Sequence, residues 1–195
     1  QDVALPSTVY GVAVYQLLAT SEASSNLSRY DGVRYGFRAQ ETFGLESMYK
    51  KTRGHGFGSE VKRRILLGTY ALSAGYYDAY YRKAQQVRTL IRREIASALE
   101  HCDLLFGPTV PVPPFGLGEL IDDPLTMYLA DTYSVVANLA GVPALSVPAG
   151  FTADGLPVGM QVMARPGHEA VLFAFARAWE NLHPELFART ADAFE

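Results

Sequence analysis

The strongest constraint on the fold is the apolar pattern of residues 76–101. Its apolar residues recur at three- and four-residue steps: Val87, Leu90, Ile91, Ile95, Ala98 and Leu99. This spacing predicts a long amphipathic helix with one side against a core and its basic residues elsewhere. Residues 103–106 are then a short apolar run ended by Gly107 and Pro108, which predicts a buried strand directly after the helix.

Similar arguments place the other elements. Further helices are predicted at residues 8–20, 41–53, 60–72 and 168–182, and further strands at residues 144–148 and 158–163. Ser59 is the predicted N-cap of its helix, residues 54–58 are a glycine-rich break, and residues 183–195 are expected to fray. Strands separated by long helices predict an α/β fold in which helices cover a sheet that is buried on both sides. No linker divides the chain, so one domain is expected.

Composition narrows the classes of function. The 195 residues are 49% hydrophobic and carry a formal net charge of −3, which argues against a dedicated nucleic-acid surface. Cys102 is the only cysteine, so an internal disulfide is excluded, as in proteins of a reducing cytoplasm. No run of about 18 apolar residues could cross a bilayer. We therefore predict a cytoplasmic protein that contacts no membrane.

Residues 21–36, the hallmark segment, form the most distinctive string: Ser-Glu-Ala-Ser-Ser-Asn-Leu-Ser-Arg-Tyr-Asp-Gly-Val-Arg-Tyr-Gly. Small hydroxyl and amide side chains bond to nearby backbone, so this composition favours caps and turns over regular helix. Gly32 and Gly36 permit positive φ angles. A segment this polar and this patterned indicates a functional site.

The hallmark segment and five later motifs resemble the amidase signature family, and within it the glutamine-hydrolysing A subunits of aminoacyl-tRNA amidotransferases. The later motifs are Val61-Lys-Arg-Arg-Ile-Leu-Leu-Gly68, Gly75-Tyr-Tyr-Asp-Ala-Tyr-Tyr81, Gly107-Pro-Thr109, Ile121-Asp-Asp-Pro-Leu-Thr-Met127 and Asn138-Leu-Ala-Gly-Val-Pro143. The resemblance covers nearly the whole chain. It implies that residues 1–195 are the carboxy-terminal half of one amidase-signature domain, a mixed β-sheet sandwiched between helices. The start at Gln1, directly on an apolar run, fits a cut end.

By this resemblance, catalysis uses a Ser, cis-Ser and Lys triad in which a Gly-Ser-rich loop presents the nucleophile. Neither that loop nor the lysine motif occurs here, so no catalytic residue is expected in this chain and the triad should lie in the missing half. Ser24 and Ser25 lack flanking glycines and are interpreted as cap or turn formers. A Ser-His-Asp triad using His55 is conceivable, but no histidine has a recognisable catalytic context. The four histidines also lack metal-binding spacing, so no metal site is predicted.

The resemblance does assign substrate-binding residues. Arg64 matches the arginine that binds the α-carboxylate of glutamine, and Asp131 matches the aspartate that binds the α-ammonium group. Tyr15 resembles a tyrosine that lines the same pocket. From the residues alone, each charge would be interpreted as a surface ion-pair partner and the tyrosine as core. Three further charged residues of the hallmark segment either are structural or order the glutamine site: Arg29, Asp31 and Arg34.

The function implied is that of a ligase complex. The intact glutaminase releases ammonia from glutamine through an acyl-serine, and a partner subunit uses ATP and Mg²⁺ to amidate Glu-tRNA(Gln) or Asp-tRNA(Asn). This predicts a heterotrimer with B and C subunits, indirect contact with misacylated tRNA, and no cofactor in this chain, which alone should be inactive. One alternative is a stand-alone amidase, distinguished by competition with free glutamate. The other is a non-catalytic module that only docks on the partner subunits, distinguished by pull-down beside a glutaminase assay.

Overall fold

The computed structural model describes residues 1–34, 36–120 and 123–188, and its contacts divide the chain into two compact units. The helical unit comprises residues 13–86. The sheet unit combines residues 1–12 with the chain from residue 87 onward. Membership of all 195 residues in one larger domain stays a prediction.

The helical unit is built from α-helices and one π-helical turn. Its elements are α1 (Gly11–Leu27, which begins two residues before the unit), α2 (Gly44–Gly56), α3 (Ser59–Ala71) and the π-helix Asp78–Arg82. The three helices predicted in this part of the chain are therefore confirmed, although their ends differ. Gly75, which lies between α3 and the π-helix, has φ +87°.

A close approach of α1 and α3 organises this unit. Gly68 of α3 faces α1, and a Cβ atom added there would collide with the carbonyl oxygen of Thr20 and lie 2.8 Å from Cβ of Ser24. The hydroxyls of Ser24 and Thr69 are hydrogen-bonded at 2.8 Å across the same contact. Only glycine lets the two backbones approach this closely.

The prediction that the start of the hallmark segment avoids helix was wrong, because α1 continues to Leu27. Two of the side chains that can compete with helix are hydrogen-bonded here. Thr20 Oγ1 donates to the carbonyl oxygen of Gln16 at 2.6 Å, and Ser24 bonds to Thr69. Tertiary contact with α3 thus outweighs the weak helix propensity of this serine-rich stretch.

Two predicted boundaries were also wrong. The break expected at residues 54–58 begins later, because α2 runs through Gly56. Lys62 Nζ donates to the Gly54 carbonyl oxygen at 2.5 Å, which satisfies one of the last carbonyls of the helix. Ser59 is the first helical residue of α3, and Gly58, in extended conformation, occupies the N-cap position instead.

The sheet unit holds the remaining elements. They are a 3₁₀ turn (Pro6–Tyr10), α4 (Lys83–Glu100, whose first turn belongs to the helical unit), β1 (Leu105–Pro108), α5 (Pro124–Leu129), α6 (Ser134–Ala140), β2 (Ala144–Phe151), β3 (Pro157–Met163), α7 (Glu169–Leu182) and α8 (Pro184–Ala188). The predicted strands and helix α7 are confirmed. The helix predicted at residues 76–101 is confirmed only from Lys83 onward, because residues 78–82 form the π-helix. The segment expected to fray contains α8, and its remainder, residues 189–195, lies outside the described residues.

Helix α4 carries the apolar face that the sequence predicts. Ile91, Ile95 and Leu99 are at most 1% exposed. Leu90, predicted on the same face, is 48% exposed, because it lies about 100° around the helix from Ile91, outside the buried stripe. Glu94 of α4 accepts hydrogen bonds from the backbone N–H and the hydroxyl of Ser7. These bonds connect α4 to the 3₁₀ turn near the start of the chain.

The three strands form an antiparallel sheet in the order β1-β3-β2. Leu105 and Ala144 both pair with Met163, and a bulge lies between Pro148 and Gly150 of β2. The first strand begins two residues later than predicted, at the point where its ladder with β3 starts.

The core of this unit lies between the sheet and α7. Val162, Ala164 and Leu172 are buried together, and Phe175 packs against them. Trp179 Nε1 donates to the Pro148 carbonyl oxygen at 2.9 Å, which fixes α7 along β2. The last residues of β3 are buried on both faces of the sheet. The protein therefore has the predicted α/β fold, and the described residues contribute three antiparallel strands to its sheet.

Two glycine substitutions test the helix contact. Gly68→Ala is expected to lower the free energy of unfolding by about 1–3 kcal/mol or more, since the methyl group meets backbone that cannot move aside. Gly54→Ala, in α2 with no atom near its added Cβ, should raise stability by about 0.5–1 kcal/mol. Urea unfolding of both variants measures the difference, and equal changes would contradict the proposed packing.

Candidate functional site

Helix α2 holds the hallmark segment through Arg53. Arg53 Nη1 donates to the carbonyl oxygens of Leu27 at 2.8 Å and Tyr30 at 3.1 Å. These carbonyls lie at and beyond the end of α1, where intrahelical partners are missing. The guanidinium also lies 5.6 Å from the ring centroid of Tyr49 and 5.0 Å from that of Phe57. Arg53 therefore caps α1 and fixes where the loop leaves it.

Two more residues of α2 fasten the same loop. Tyr49 donates its hydroxyl to the Ser28 carbonyl oxygen at 3.0 Å, and buried Thr52 Oγ1 accepts from the backbone N–H of Ala39 at 3.2 Å. Gly32 has φ +77°, and an added Cβ would lie 2.8 Å from Cγ2 of Thr52. The predicted positive φ at Gly32 is confirmed, and glycine is required there by both conformation and space.

The charged residues of the hallmark segment have different surroundings. Asp31 Oδ1 accepts the backbone N–H of Val33 at 2.8 Å, so its carboxylate stabilises the turn. Arg29 and Arg34 are exposed. Gly36, at the end of the segment, has the expected positive φ of +86°. Of the two roles considered for Asp31, structural or ordering the glutamine site, the structural role is supported by this contact.

Arg64 lies on α3 beside a carboxylate that orients it. Its Nε donates to Glu60 Oε1 at 2.9 Å, and Arg63 Nη1 donates to the other oxygen of Glu60 at 2.8 Å. The side chain of Arg64 is 38% exposed. With Nε directed at Glu60, the other guanidinium donors lie on Nη1 and Nη2, a pair that matches the two oxygens of a carboxylate.

Tyr15 lies in the same unit as Arg64. It is half-buried on α1, one residue after the buried Val14 and three before the buried Leu18. Its position is compatible with either a pocket wall or a packing role. The structure brings Tyr15 and Arg64 into the helical unit but places Asp131 in the sheet unit.

The Gly75–Tyr81 motif forms a cluster of rings in the helical unit. The ring centroids of Tyr70 and Tyr76 are 4.4 Å apart, and those of Tyr76 and Tyr80 are 5.8 Å apart. A hydrogen bond to Tyr76 raises the pKa of Tyr70 to about 12. Each of these three side chains is between 39% and 51% exposed, so the motif builds an aromatic surface rather than a core.

Asp131 lies in the turn between α5 and α6. Its carbonyl oxygen accepts from the backbone N–H of Val135 at 3.0 Å and from Ser134 Oγ at 3.2 Å, which fixes the backbone of the turn. Its side chain is exposed, and the carboxylate forms no hydrogen bond or ion pair with any residue that the structure describes. This carboxylate is available to a cationic ligand.

The helix before this turn begins with a side-chain cap. Asp123 Oδ1 accepts the backbone N–H of Thr126 at 3.1 Å, and Oδ2 accepts its hydroxyl at 2.6 Å. The hydrogen bond from the Thr126 hydroxyl is the main reason that the pKa of Asp123 is lowered. Residues 121 and 122, the start of the motif that led to Asp131, lie outside the described residues.

The sheet unit contains an apolar groove of about 360 Å³. Ala130, the residue before Asp131 in the sequence, forms part of its wall. The rest of its lining comes from a proline-rich loop and from β3. Its members include Pro108, Val110, Pro111, Pro113, Pro157 and Val158. Asp131 itself is not among the residues that line this groove.

The structure also describes the surroundings of the other residues considered as nucleophiles or metal ligands. Ser24, considered as a nucleophile and rejected, bonds to Thr69. Across residues 1–34, 36–120 and 123–188, no three His, Cys, Asp or Glu side chains are grouped to hold a metal ion. No helix in the described part of the chain is long and apolar enough to span a bilayer.

Sequence reasoning missed Arg53 and Glu60, although both carry a visible spacing signal. Tyr49, Arg53 and Phe57 follow one another at four-residue steps, which places the guanidinium between two rings on one helix face. Glu60 precedes Arg64 by four residues, the spacing and order that favour an ion pair within a helix. The carbonyl partners of Arg53 could not be read from any local pattern.

The amidase family model matches residues 1–173. This chain belongs to the amidase family. Its match covers the hallmark segment, both charged candidates and the whole sheet. The family membership inferred from the motifs is thereby confirmed.

A curated relative resolves the similarity further. The A subunit of the Glutamyl-tRNA(Gln) amidotransferase of Myxococcus xanthus is 57% identical to this amidase-family chain over 190 residues. The alignment covers 97% of the chain and 39% of that relative. The chain therefore spans about two-fifths of the length of the curated relatives it matches.

Solved structures agree on the fold. The A subunit of the Glutamyl-tRNA(Gln) amidotransferase of Thermotoga maritima has a TM-score of 0.57 and 44% identity, over 84% of this chain and 30% of its own. A protein named PAM12A has a TM-score of 0.65 and 28% identity, over 99% of this chain and 38% of its own. Both matches extend over most of this chain and agree with the fold described above.

The role of Arg53 can be tested by local amide exchange. Arg53→Met keeps the aliphatic stem but removes the two hydrogen bonds to the loop, and exchange in residues 28–34 should rise by about tenfold or more, since hydrogen bonds from a charged donor contribute about 1.5–3 kcal/mol. Lys50→Met on the same helix, which loses only a pair with exposed Glu46, is the control. Unchanged exchange in the Arg53 variant would show that Arg53 does not hold the loop.

Proposed function

We propose that this chain is part of the glutaminase subunit of an aminoacyl-tRNA amidotransferase and that it recognises the amino-acid end of glutamine. The observation that carries the proposal is the 57% identity, over 97% of the chain, to a protein named as the A subunit of a Glutamyl-tRNA(Gln) amidotransferase. The chain spans only 39% of that relative, so the activity and partners of the whole enzyme belong to the proposal.

In this account, a serine outside these 195 residues attacks the side-chain amide of glutamine. The C–N bond breaks, ammonia leaves, and the glutamyl group stays on the serine as an acyl-enzyme that water hydrolyses to glutamate. A partner subunit then uses ATP and Mg²⁺ to attach the ammonia to Glu-tRNA(Gln) or Asp-tRNA(Asn). The two partner subunits complete a heterotrimer, and the tRNA contacts this chain only indirectly.

This chain contributes binding energy at the end of glutamine remote from the reacting amide. The Nη donors of Arg64 are assigned to the α-carboxylate, with Glu60 holding the guanidinium by its Nε. The exposed carboxylate of Asp131 is assigned to the α-ammonium group, and Tyr15 to the wall of the pocket. Binding energy at such remote groups positions the amide for attack.

The pair of assigned charges also accounts for selectivity. A substrate that lacks the α-carboxylate cannot form the hydrogen bonds assigned to the Nη donors of Arg64, and one that lacks the ammonium cannot form the ion pair assigned to Asp131. Each omission forfeits a charge-assisted hydrogen bond. Simple amides should therefore be poor substrates even if their reacting carbonyl is unchanged.

Arg64→Ala tests the carboxylate assignment in the assembled enzyme. We expect kcat/KM for glutamine to fall by about 10- to 100-fold, which corresponds to the loss of about 1.5–3 kcal/mol from hydrogen bonds to a charged group. Turnover of a simple primary amide without a carboxylate should change little. Arg63→Ala is a matched control, since Arg63 pairs with the same glutamate. Equal losses for both substrates would refute the assignment.

Asp131→Asn tests the other end of the substrate. We expect a higher KM for glutamine with unchanged thermal unfolding, since the carboxylate is exposed and has no structural partner among the described residues. A large fall in melting temperature would instead identify Asp131 as a structural residue. Asp154→Asn, an exposed aspartate in the turn between β2 and β3, is the control.

A further inference from the structure

A polar cavity, separate from the apolar groove, is lined entirely by residues of the helical unit. It has a volume of about 440 Å³ and opens between α1 and the π-helical segment. We call it the Ser21 cavity. Its polar lining consists of Ser21, Glu22, Ser25, Asn26, Tyr77 and Tyr81. None of these residues is among those assigned to glutamine above.

Ser21 is the unusual member of this lining. It is 1% exposed, and its Oγ is hydrogen-bonded to no other residue that the structure describes. Its neighbours differ, since Thr20 bonds back to Gln16 and Ser24 bonds to Thr69. A buried hydroxyl without a partner costs about 1–3 kcal/mol. Because Ser21 borders a cavity, a ligand inside that cavity can supply the missing hydrogen bond.

The opposite wall is shaped by the π-helix. The backbone N–H of Arg82 donates to the Tyr77 carbonyl oxygen at 2.9 Å, a five-residue step that widens the helix. Such turns occur often at functional sites. This one brings the rings of Tyr77 and Tyr81 together, with centroids 5.2 Å apart, and places both on the cavity. Tyr81 is held further by Gln85 Nε2, which donates to its hydroxyl at 3.1 Å.

The charge of the lining selects the ligand. Among the described residues that line the cavity, Glu22 is the one with a charged side chain, and none of them is a lysine or an arginine. The other lining groups add hydroxyl and amide oxygens that can accept hydrogen bonds, and two aromatic faces that attract cations. A single carboxylate is too few for Ca²⁺ or Mg²⁺, which take several oxygen ligands at fixed short distances. The lining therefore suits a cation that carries its own N–H donors.

We propose that the Ser21 cavity binds a small organic ammonium ion. The ammonium donates N–H bonds to Ser21 Oγ and to the Glu22 carboxylate, and its alkyl side lies against the rings of Tyr77 and Tyr81. The volume admits a small molecule rather than a bare ion. This site is independent of the glutaminase proposal, because it rests on residues with no role in that reaction.

Methylammonium is a suitable probe, and the readout is saturation-transfer NMR of its methyl signal on the full-length protein that contains this chain. We expect saturable binding that Glu22→Gln weakens at least tenfold and Ser21→Ala weakens about fivefold. Glu22 is exposed, so its variant tests the charge without disturbing the core. Glu180→Gln, a likewise exposed helical glutamate in the sheet unit, should leave binding unchanged.

Three outcomes would overturn the proposal. The first is no saturable binding by the native chain. The second is equal affinity in the native chain and Glu22→Gln. The third is full displacement of methylammonium by an equal concentration of K⁺, which would make this a site for a monovalent metal ion. Weak or absent competition by K⁺, together with lost affinity in Glu22→Gln, would support an organic ammonium site.

Discussion

The close approach of α1 and α3 at Gly68 is the contact on which the helical unit depends. It requires a residue without a side chain, because the α1 backbone at Thr20 occupies the space where a Cβ would lie. The contact sets the position of Ser21, the residue after Thr20, and of Arg64, one turn before Gly68. The candidate guanidinium and the orphaned hydroxyl are thus both placed by one steric constraint.

A second constraint acts through α2. Arg53 satisfies carbonyls at the end of α1, and Tyr49 and Thr52 bond to the backbone of the loop. The contacts seen for the loop of the hallmark segment therefore stabilise its backbone and do not show what it binds. Four of its polar residues line a cavity of their own: Ser21, Glu22, Ser25 and Asn26. The hallmark segment thus both packs against α2 and lines the Ser21 cavity.

Much of the fold could be predicted where the pattern is local. The burial of Ile91 and Ile95 follows from helical spacing, and β2 and β3 follow from two apolar runs around a Gly155 turn. The helix through residues 21–27 could not, because a contact distant in sequence overrides weak propensity. The roles of Arg64 and Asp131 came from resemblance alone. Spacing shows the Glu60 and Arg64 pair, but no local pattern shows what that guanidinium binds.

Competition by substrate fragments tests the glutamine account most directly. In the glutaminase assay of the assembled enzyme, 4-aminobutanamide retains the ammonium but lacks the α-carboxylate, and glutaramic acid retains the carboxylate but lacks the ammonium. If Arg64 and Asp131 each bind one of these groups, both compounds should compete at least about tenfold more weakly than L-glutamate. Competition by either compound as strong as that of L-glutamate would contradict the account.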